Sequence, residues 1–413
     1  MAPRPAIDAS KDRQMTTATE QTSSRNAVLD VEVPRGLKGV KVAQTSIGNV
    51  RGQEGFFHYR QYDATELAKQ RSLEDIWHLM HEGELPATKA ESDAYRAQAG
   101  KLREAAWTQV EQLVPGLVAG ADTDKLDVMG TLRALIAAVG AREGWKPWLD
   151  LSQDEIKEQC SRAVALTAVG VAAIYRVKHG KEMVAPDPSL PHATDYLRMV
   201  TGETPTAEKA EALEKYLDLT VDHGFNASTF TARVVASTGA DVSSAVVAAI
   251  GSLSGPLHGG APSRALAMVD EIGTKENAEP FIRNIFESGD RLMGFGHPVY
   301  TTMDPRSIML GEIAEGIGGP QVELARHVEQ TCLDLLEEYK PGRGLKTNVE
   351  FYAALVMRAS GIPDELFTPT FAVSRVIGWT ANIREQVTED NRIFRPSAQY
   401  VGKDAPQPVP ALG

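Results

Sequence analysis

Apolar residues recur along most of this chain at spacings of three and four, the period of a helix with one buried face. A capping-box variant between Ser72 and Asp75 starts one run, Leu73, Ile76, Trp77 and Met80 share its inner side, and Gly83 with Pro86 stops it. Ser152 and Glu155 form another capping box ahead of a helix expected to last to Gly180. The stretch 207–221 aligns Leu213, Leu217 and Val221 and delivers His223 just past its last turn. Residues 241–253 are almost wholly Ala, Val, Ser and Gly, which lets neighbours approach closely and predicts a central helix. Further helices are expected over 262–272, 276–288, 306–317, 321–339, 348–360 and 369–386. Only 31–63 reads as short strands or turns, from runs such as Val40-Lys41-Val42-Ala43 and the aromatic-rich 56–62. With no alternating pattern between Gly180 and the final helices, and no internal repeat, the expected class is mostly α.

Composition adds bounds. A chain of 413 residues with 42% hydrophobic content can bury a large core, and its length suggests two structural domains more than one. The glycine-rich bends around His258 and Gly361 bracket a run of helices; they can serve as hinges or simply cap helices. The first 30 or so residues lack helical periodicity and read as a disordered tail, taken as 1–34. Asp8, Asp12 and Glu20 argue against a transit peptide, and no apolar segment there suggests a secretory signal, so the cytoplasm is the expected location. The net charge of −12 and the lack of a Lys/Arg block give no sign of a nucleic-acid partner, so anionic ligands must be met by local arginines. No apolar run approaches the roughly eighteen residues of a membrane span; the most apolar, 163–175, is a candidate for a short buried helix. With only Cys160 and Cys332, neither a disulfide framework nor a Cys-rich metal site is expected, and a reducing compartment fits.

Candidate chemistry gathers between Asp222 and Glu350, where His223, His258, His297 and Glu350 each sit beside glycine, proline or a helix start. Singly, each is more often a packing histidine or a helix-start acid than a catalyst. The loops change that weighting. Ser254-Gly255-Pro256-Leu257-His258-Gly259-Gly260-Ala261-Pro262 ends one helix and starts another, and Gly294-Phe295-Gly296-His297-Pro298 repeats the device. No GxGxxG, P-loop or HExxH occurs. A metal held by three histidines ranks below organic acid–base chemistry, because no further ligand pattern flanks them and a neutral imidazole can serve as a hydrogen-bond donor.

These segments resemble the citrate synthase family. The resemblance rests on His223-Gly224-Phe225-Asn226-Ala227-Ser228-Thr229-Phe230, Gly255-Pro256-Leu257-His258-Gly259-Gly260-Ala261, Gly294 to Tyr300 with Asp304-Pro305-Arg306, and Asn348-Val349-Glu350-Phe351-Tyr352, in that order. It extends from about Gly36 to Gly402 and takes in Arg395-Pro396-Ser397. It implies a multi-helical fold with a large domain (35–260 with 362–413) and a small one (261–361), the active site lying in the cleft between them. The implied reaction condenses acetyl-CoA with oxaloacetate and hydrolyses the citryl thioester, as at entry to the tricarboxylic acid cycle. No tightly bound cofactor or metal is implied, the CoA thioester being a co-substrate. By resemblance Glu350 takes the methyl proton, His258 donates to the thioester oxygen and His297 polarises the ketone. His223, Arg306, Arg375 and Arg395 hold carboxylates, and in the family the last of these arginines reaches in from the partner subunit of a homodimer.

The residue types suit those roles. A developing enolate needs a donor placed for it, and an imidazole fixed in a glycine loop supplies one. Pro262 suggests a helix N-terminus near His258 that would favour the neutral ring. With Asn348 as cap, Glu350 lies in a first turn whose dipole keeps it ionised. Arginine forks match dicarboxylates, although Arg375, one turn before Trp379, can equally be a packing residue. Many relatives carry Asp where Glu350 stands, one methylene shorter. Many also carry Lys or Arg near the CoA phosphates where this chain has Thr301 and Thr302. A 2-methylcitrate synthase acting on propionyl-CoA is the nearest alternative, since one methyl in an apolar pocket is worth only about 1 to 3 kcal/mol. A non-catalytic helical dimer that binds organic acids or acyl-CoA is a remoter one.

Overall fold

The computed structural model describes residues 33–412 except 291, 297, 298, 301 and 390, and only the backbone of 261–263. The expected tail over 1–34 therefore lies almost wholly outside the described residues. Two compact units are present: 45–394, and the described parts of 1–44 with 395–413. The second unit holds one short helical turn, Arg35–Leu37, and is mostly exposed. The run 40–43, expected as a strand, is irregular there, and Val40 is exposed.

The larger unit opens with a small antiparallel sheet, β1 (Gly48–Arg51), β2 (Phe56–Tyr59) and β3 (Tyr62–Asp63), paired in the order β1-β2-β3 with Gly48 opposite Tyr59 and His58 opposite Asp63. Phe57 and Tyr59 turn inward. The helices follow as α1 (Ala64–Gln70), α2 (Leu73–Glu82), α3 (Lys89–Val118), α4 (Val128–Glu143), α5 (Gln153–Lys178), α6 (His192–Thr201) and α7 (Ala207–Thr220). Next come α8 (Ala227–Ser237), α9 (Val242–Leu253), α10 (Ala261–Ile272), α11 (Lys275–Ser288), α12 (Pro305–Ile317), α13 (Pro320–Tyr339), α14 (Val349–Ser360) and α15 (Phe367–Thr388). The class is mostly α, as the periodicity predicts.

Two helices form the centre. α5 packs on α3, α15 and α4, and α15 packs on α8, α7, α2 and α9 as well. The capping box that starts α5 is reciprocal: the Ser152 amide donates to Glu155 Oε2 at 2.7 Å, and the Glu155 amide donates to Ser152 Oγ at 3.3 Å. The sequence predicts no apolar run of membrane length and only a short helix over 163–175, and α5 departs from both. At 26 residues α5 is long and apolar enough to cross a membrane, but 83% of its most apolar window is buried, which makes it a core helix. Its apolar surface is matched by other helices, and every residue of 163–175 is buried.

The helices expected over 262–272, 276–288, 306–317, 321–339, 348–360 and 369–386 are present as α10 to α15, whereas α3 was hard to see for a physical reason. α3 spans 30 residues but buries only Ala99, Gly100, Arg103, Val110, Val114 and Val118, a stripe too sparse to mark a period. Arg103 is tolerated inside because its Nε donates to Asp195 of α6 at 2.8 Å, both side chains being fully buried. The α9 helix has the expected small residues and the Asp241 cap, yet one face is only partly covered, with Ser244 exposed and Val247, Ala248 and Gly251 half-buried. It is central on one side only.

Candidate active site

α7 ends at Thr220 and the chain turns through Val221 and Asp222 to His223. The turn lies directly against α15, where a Cβ on Gly378 would stand 2.2 Å from the Val221 carbonyl oxygen; only glycine fits. Asp222 is buried and its Oδ2 accepts from the Gly224 amide at 3.2 Å. Burial pushes the Asp222 carboxyl up to about 6, although the Arg375 charge opposes the shift. His223 Nε2 shares a 3.0 Å hydrogen bond with the Tyr300 hydroxyl, and its ring centre lies 5.5 Å from that of Phe57.

His258 sits in the turn between α9 and α10. Its amide donates to the Gly255 carbonyl and the Gly259 amide to the Leu253 carbonyl, each at 2.9 Å. A Cβ on Gly259 would meet the Leu253 oxygen at 2.5 Å, so the turn is available only to glycine there. The His258 ring is anchored by Ser228 of α8, whose Oγ lies 2.8 Å from Nε2. The same hydroxyl accepts from Trp379 Nε1 at 3.1 Å and can donate to Asn226 Oδ1 at 2.8 Å. It has one proton to give. When that proton goes to His258, the neutral ring carries its own hydrogen on Nδ1 and is a donor there. Burial, and after it the positive charge of Arg375, hold the imidazole down at about 4, so the ring is neutral at ordinary pH. The neutral form agrees with the reading from sequence, but its leading cause is burial and not a helix terminus.

Glu350 enters from the other side of the sequence. Asn348 caps α14, its Oδ1 accepting from the Glu350 amide at 3.0 Å, and this places Glu350 half-buried in the first turn. The segment before the cap pairs with the glycine loop that leads to His297. Phe295 and Thr347 form an antiparallel bridge, with the Gly296 amide donating to Lys346 O at 2.7 Å and the Asn348 amide to Gly294 O at 3.0 Å. Asn348 Nδ2 donates to Gly296 O at 2.9 Å. His297 lies outside the described residues, as does Thr301. Thr302 is described and exposed, against the turn between β1 and β2, with Oγ1 donating to Gly52 O at 3.4 Å.

Both inner arginines are buried. Arg306, in the first turn of α12, pairs in bidentate fashion with its own N-cap: Nε donates to Asp304 Oδ1 at 3.0 Å and an Nη to Oδ2 at 2.8 Å. The Asp304 charge and its hydrogen bond raise the Arg306 pKa against the opposing effect of burial. Arg375 has backbone support instead, Nε donating to Thr220 O at 2.7 Å, and its guanidinium lies 4.6 Å from the Phe371 ring centre. Burial lowers it to about 10. A buried guanidinium seated on a carbonyl and a ring is suited to receive an anion.

His223, His258, Glu350, Arg306 and Arg375 all line one cavity of about 580 Å³. Asn49, Leu257, Ala353 and Phe371 complete much of the wall, and Gly296 brings the His297 loop to its edge. Arg395 belongs to the other compact unit and is exposed. Sequence reasoning passed over Ser228 and Asp304 as functional. Both stand inside the quoted motifs, and Asp304-Pro305 has the form of a helix start, which was the available signal. Among the described residues no group of three His, Cys, Asp or Glu side chains is placed to hold a metal ion.

A mostly helical fold whose cavity joins a neutral imidazole, a carboxylate and buried arginines defines an acid–base enzyme for an anionic substrate. Comparison with known proteins gives the family. The family model described as "Citrate synthase, C-terminal domain" matches residues 36–397. The citrate synthase of Haloferax volcanii is 36% identical over 375 residues, covering 90% of this chain and 96% of that protein. Citrate synthase 2 of Bacillus subtilis is 37% identical over 381 residues, covering 91% and 98%. Among solved structures, the ternary complex of citrate synthase from Thermoplasma acidophilum with carboxymethyl coenzyme A and oxaloacetate superposes with a TM-score of 0.83 at 29% identity. The match covers 92% of this chain and 98% of that one. The enzyme from Pyrobaculum aerophilum gives 0.81 at 35% identity, covering 92% and 94%. The chain belongs to the citrate synthase family, and is an acyltransferase.

Proposed function

We propose that this cavity condenses acetyl-CoA with oxaloacetate and water to give citrate and CoA. The observation that carries the reading is the convergence of His258, Glu350, Arg306 and Arg375 on one cavity in a chain of this family. Glu350 takes a proton from the thioester methyl, and the electron pair of that C–H bond becomes the enolate. The thioester oxygen accepts a hydrogen bond from neutral His258 as charge develops on it. The enolate carbon attacks the ketone carbon of oxaloacetate, the new C–C bond forms, and the ketone oxygen takes a proton from His297. Water then cleaves the citryl thioester, releasing CoA as the thiol. Arg306, Arg375 and His223 hold the substrate carboxylates while this happens. The CoA thioester is consumed as co-substrate, and no tightly bound cofactor enters the scheme.

Purified protein given oxaloacetate with acetyl-CoA or propionyl-CoA tests the substrate. Acetyl-CoA is expected to be preferred by at least about tenfold, within the range one methylene can impose. A reversed preference assigns the chain to 2-methylcitrate synthesis. No CoA release from either thioester rules out the enzyme reading.

Four wider features belong to the same proposal. The enzyme works as a homodimer with Arg395 given across subunits, and the half-buried face of α9 at Val247, Ala248 and Gly251 supports a helix-to-helix contact. Sedimentation as a dimer, with Arg395→Ala weakening oxaloacetate binding, is the expected result; a fully active monomer contradicts it. Residues 261–361 act as a small domain that closes on the larger one, formed by 35–260 with 362–413, and the pairing of α10 and α12 with α14 and of α11 with α13 supports their coherence. Cytoplasmic residence and entry of acetyl units into the tricarboxylic acid cycle complete the reading; both Cys160 and Cys332 are free and buried.

A further inference from the structure

Behind the cavity wall, a single carboxylate holds both sides of the segment that carries Glu350. Glu329 of α13 is half-buried and is not among the residues lining the cavity. Its Oε1 accepts from Thr347 Oγ1 at 2.5 Å, and its Oε2 accepts a short hydrogen bond from the Tyr352 hydroxyl. Thr347 precedes Glu350 by three residues and Tyr352 follows it by two, so the helix start lies between the two anchors. Both anchoring side chains are buried, Thr347 at 1% exposure and Tyr352 at 4%.

Each anchor is also fixed from a second direction. Thr347 is bridged to Phe295 of the glycine loop leading to His297. The Tyr352 ring packs against Gly311 of α12, where an added Cβ would stand 3.4 Å from it, and edge-on against Phe351. Glu329 therefore ties α13, the first turn of α14 and the 294–296 loop into one frame. The cap alone fixes less. Asn348 accepts from the Glu350 amide and donates twice to the 294–296 loop, and the Val349 amide donates to Asp304 Oδ2 at 3.3 Å, but none of these contacts reaches α13.

We propose that Glu329 is the positioning residue of the catalytic carboxylate, holding Thr347 and Tyr352 so that Glu350 meets the acyl methyl at reactive distance. This rests on Glu350 being the base. Glu350 has a long, flexible side chain, and proton abstraction depends steeply on distance and direction, so the placement of its backbone matters. Glutamine at 329 can keep both contacts, its carbonyl accepting from Thr347 and its amide donating to the Tyr352 oxygen. Alanine keeps neither.

The test compares Glu329→Ala, Glu329→Gln and Glu350→Gln, using acetyl-CoA with an ordinary or a deuterated methyl group. Glu329→Ala is expected to lose about 10- to 100-fold in kcat with the KM for oxaloacetate unchanged within about twofold, the pattern of a misplaced reacting group. Its primary deuterium isotope effect should rise, because C–H cleavage becomes more rate-limiting, and Glu329→Gln should restore most of the rate. Wild-type kcat in Glu329→Ala overturns the proposal. So does a slow variant whose isotope effect is unchanged, or whose oxaloacetate KM rises in step with the loss, since general distortion gives those results. If Glu329→Ala does not fold, Tyr352→Phe and Thr347→Val are read by the same criteria. Retained turnover in Glu350→Gln removes the base assignment itself, an outcome separate from a failure at Glu329.

Discussion

Glu350→Gln lowers turnover by at least about a hundredfold while leaving oxaloacetate binding nearly intact. The carboxylate sits in the first turn of α14 with its amide bonded to Asn348, on the wall of a cavity that also holds His258 and both buried arginines. Glutamine preserves volume and the helix cap, so the fold and the arginine-lined region are unchanged. It removes the basic oxygen. The loss should therefore fall on kcat, and calorimetry of oxaloacetate binding should match the parent protein. Weakened oxaloacetate binding with normal turnover at saturation contradicts the role.

The other large effect is expected at His258. His258→Ala should lose about 10²- to 10³-fold in kcat, the usual effect of removing one preorganised donor to a developing oxyanion. Its ring is held by Ser228 and kept neutral by burial and by Arg375, which together make it a donor that costs little to reorganise. The protonation state can be tested without kinetics. The folded-state value of about 4 lies below the ordinary 6.5, so the stability gained by keeping the ring neutral is complete above 6.5 and is lost as pH falls from 6.5 through 4. Asp222 runs the opposite way. Its raised value of about 6 favours the folded state below its ordinary 3.8, and that contribution is lost as pH rises through 6. A proton NMR titration that places the His258 midpoint near 4 fits this account, and one placing it above 6 does not.

Much of this was legible because the deciding interactions are local. Caps at Ser152, Asp241 and Asn348 act within three residues, so their helices can be read from short strings. The glycine turns around His258 and Gly296 announce positions where a side chain is held still. What escaped depends on distant partners. α3 hides because Arg103, a charge at a buried position, finds its partners, Asp195 and the Leu190 carbonyl, far along the chain. α8 opens with Ala-Ser-Thr, and its Ser228 acquires a function only when the chain returns with His258 and Trp379. The resemblance gives Arg306 to a substrate carboxylate, but Asp304 binds it twice, so part of its fork is committed to holding α12 in place. Among the described residues no strand pairs with the run 40–43, and without cross-strand bonds it is irregular.

The central claim is that the acyl methyl loses one proton and that the resulting carbon joins the oxaloacetate ketone. It is tested most directly by supplying acetyl-CoA with a fully deuterated methyl group, together with oxaloacetate, and analysing the products by mass spectrometry. The account predicts citrate that retains two of the three deuterons, formed in step with free CoA. Release of CoA with fully deuterated acetate and no citrate would contradict it.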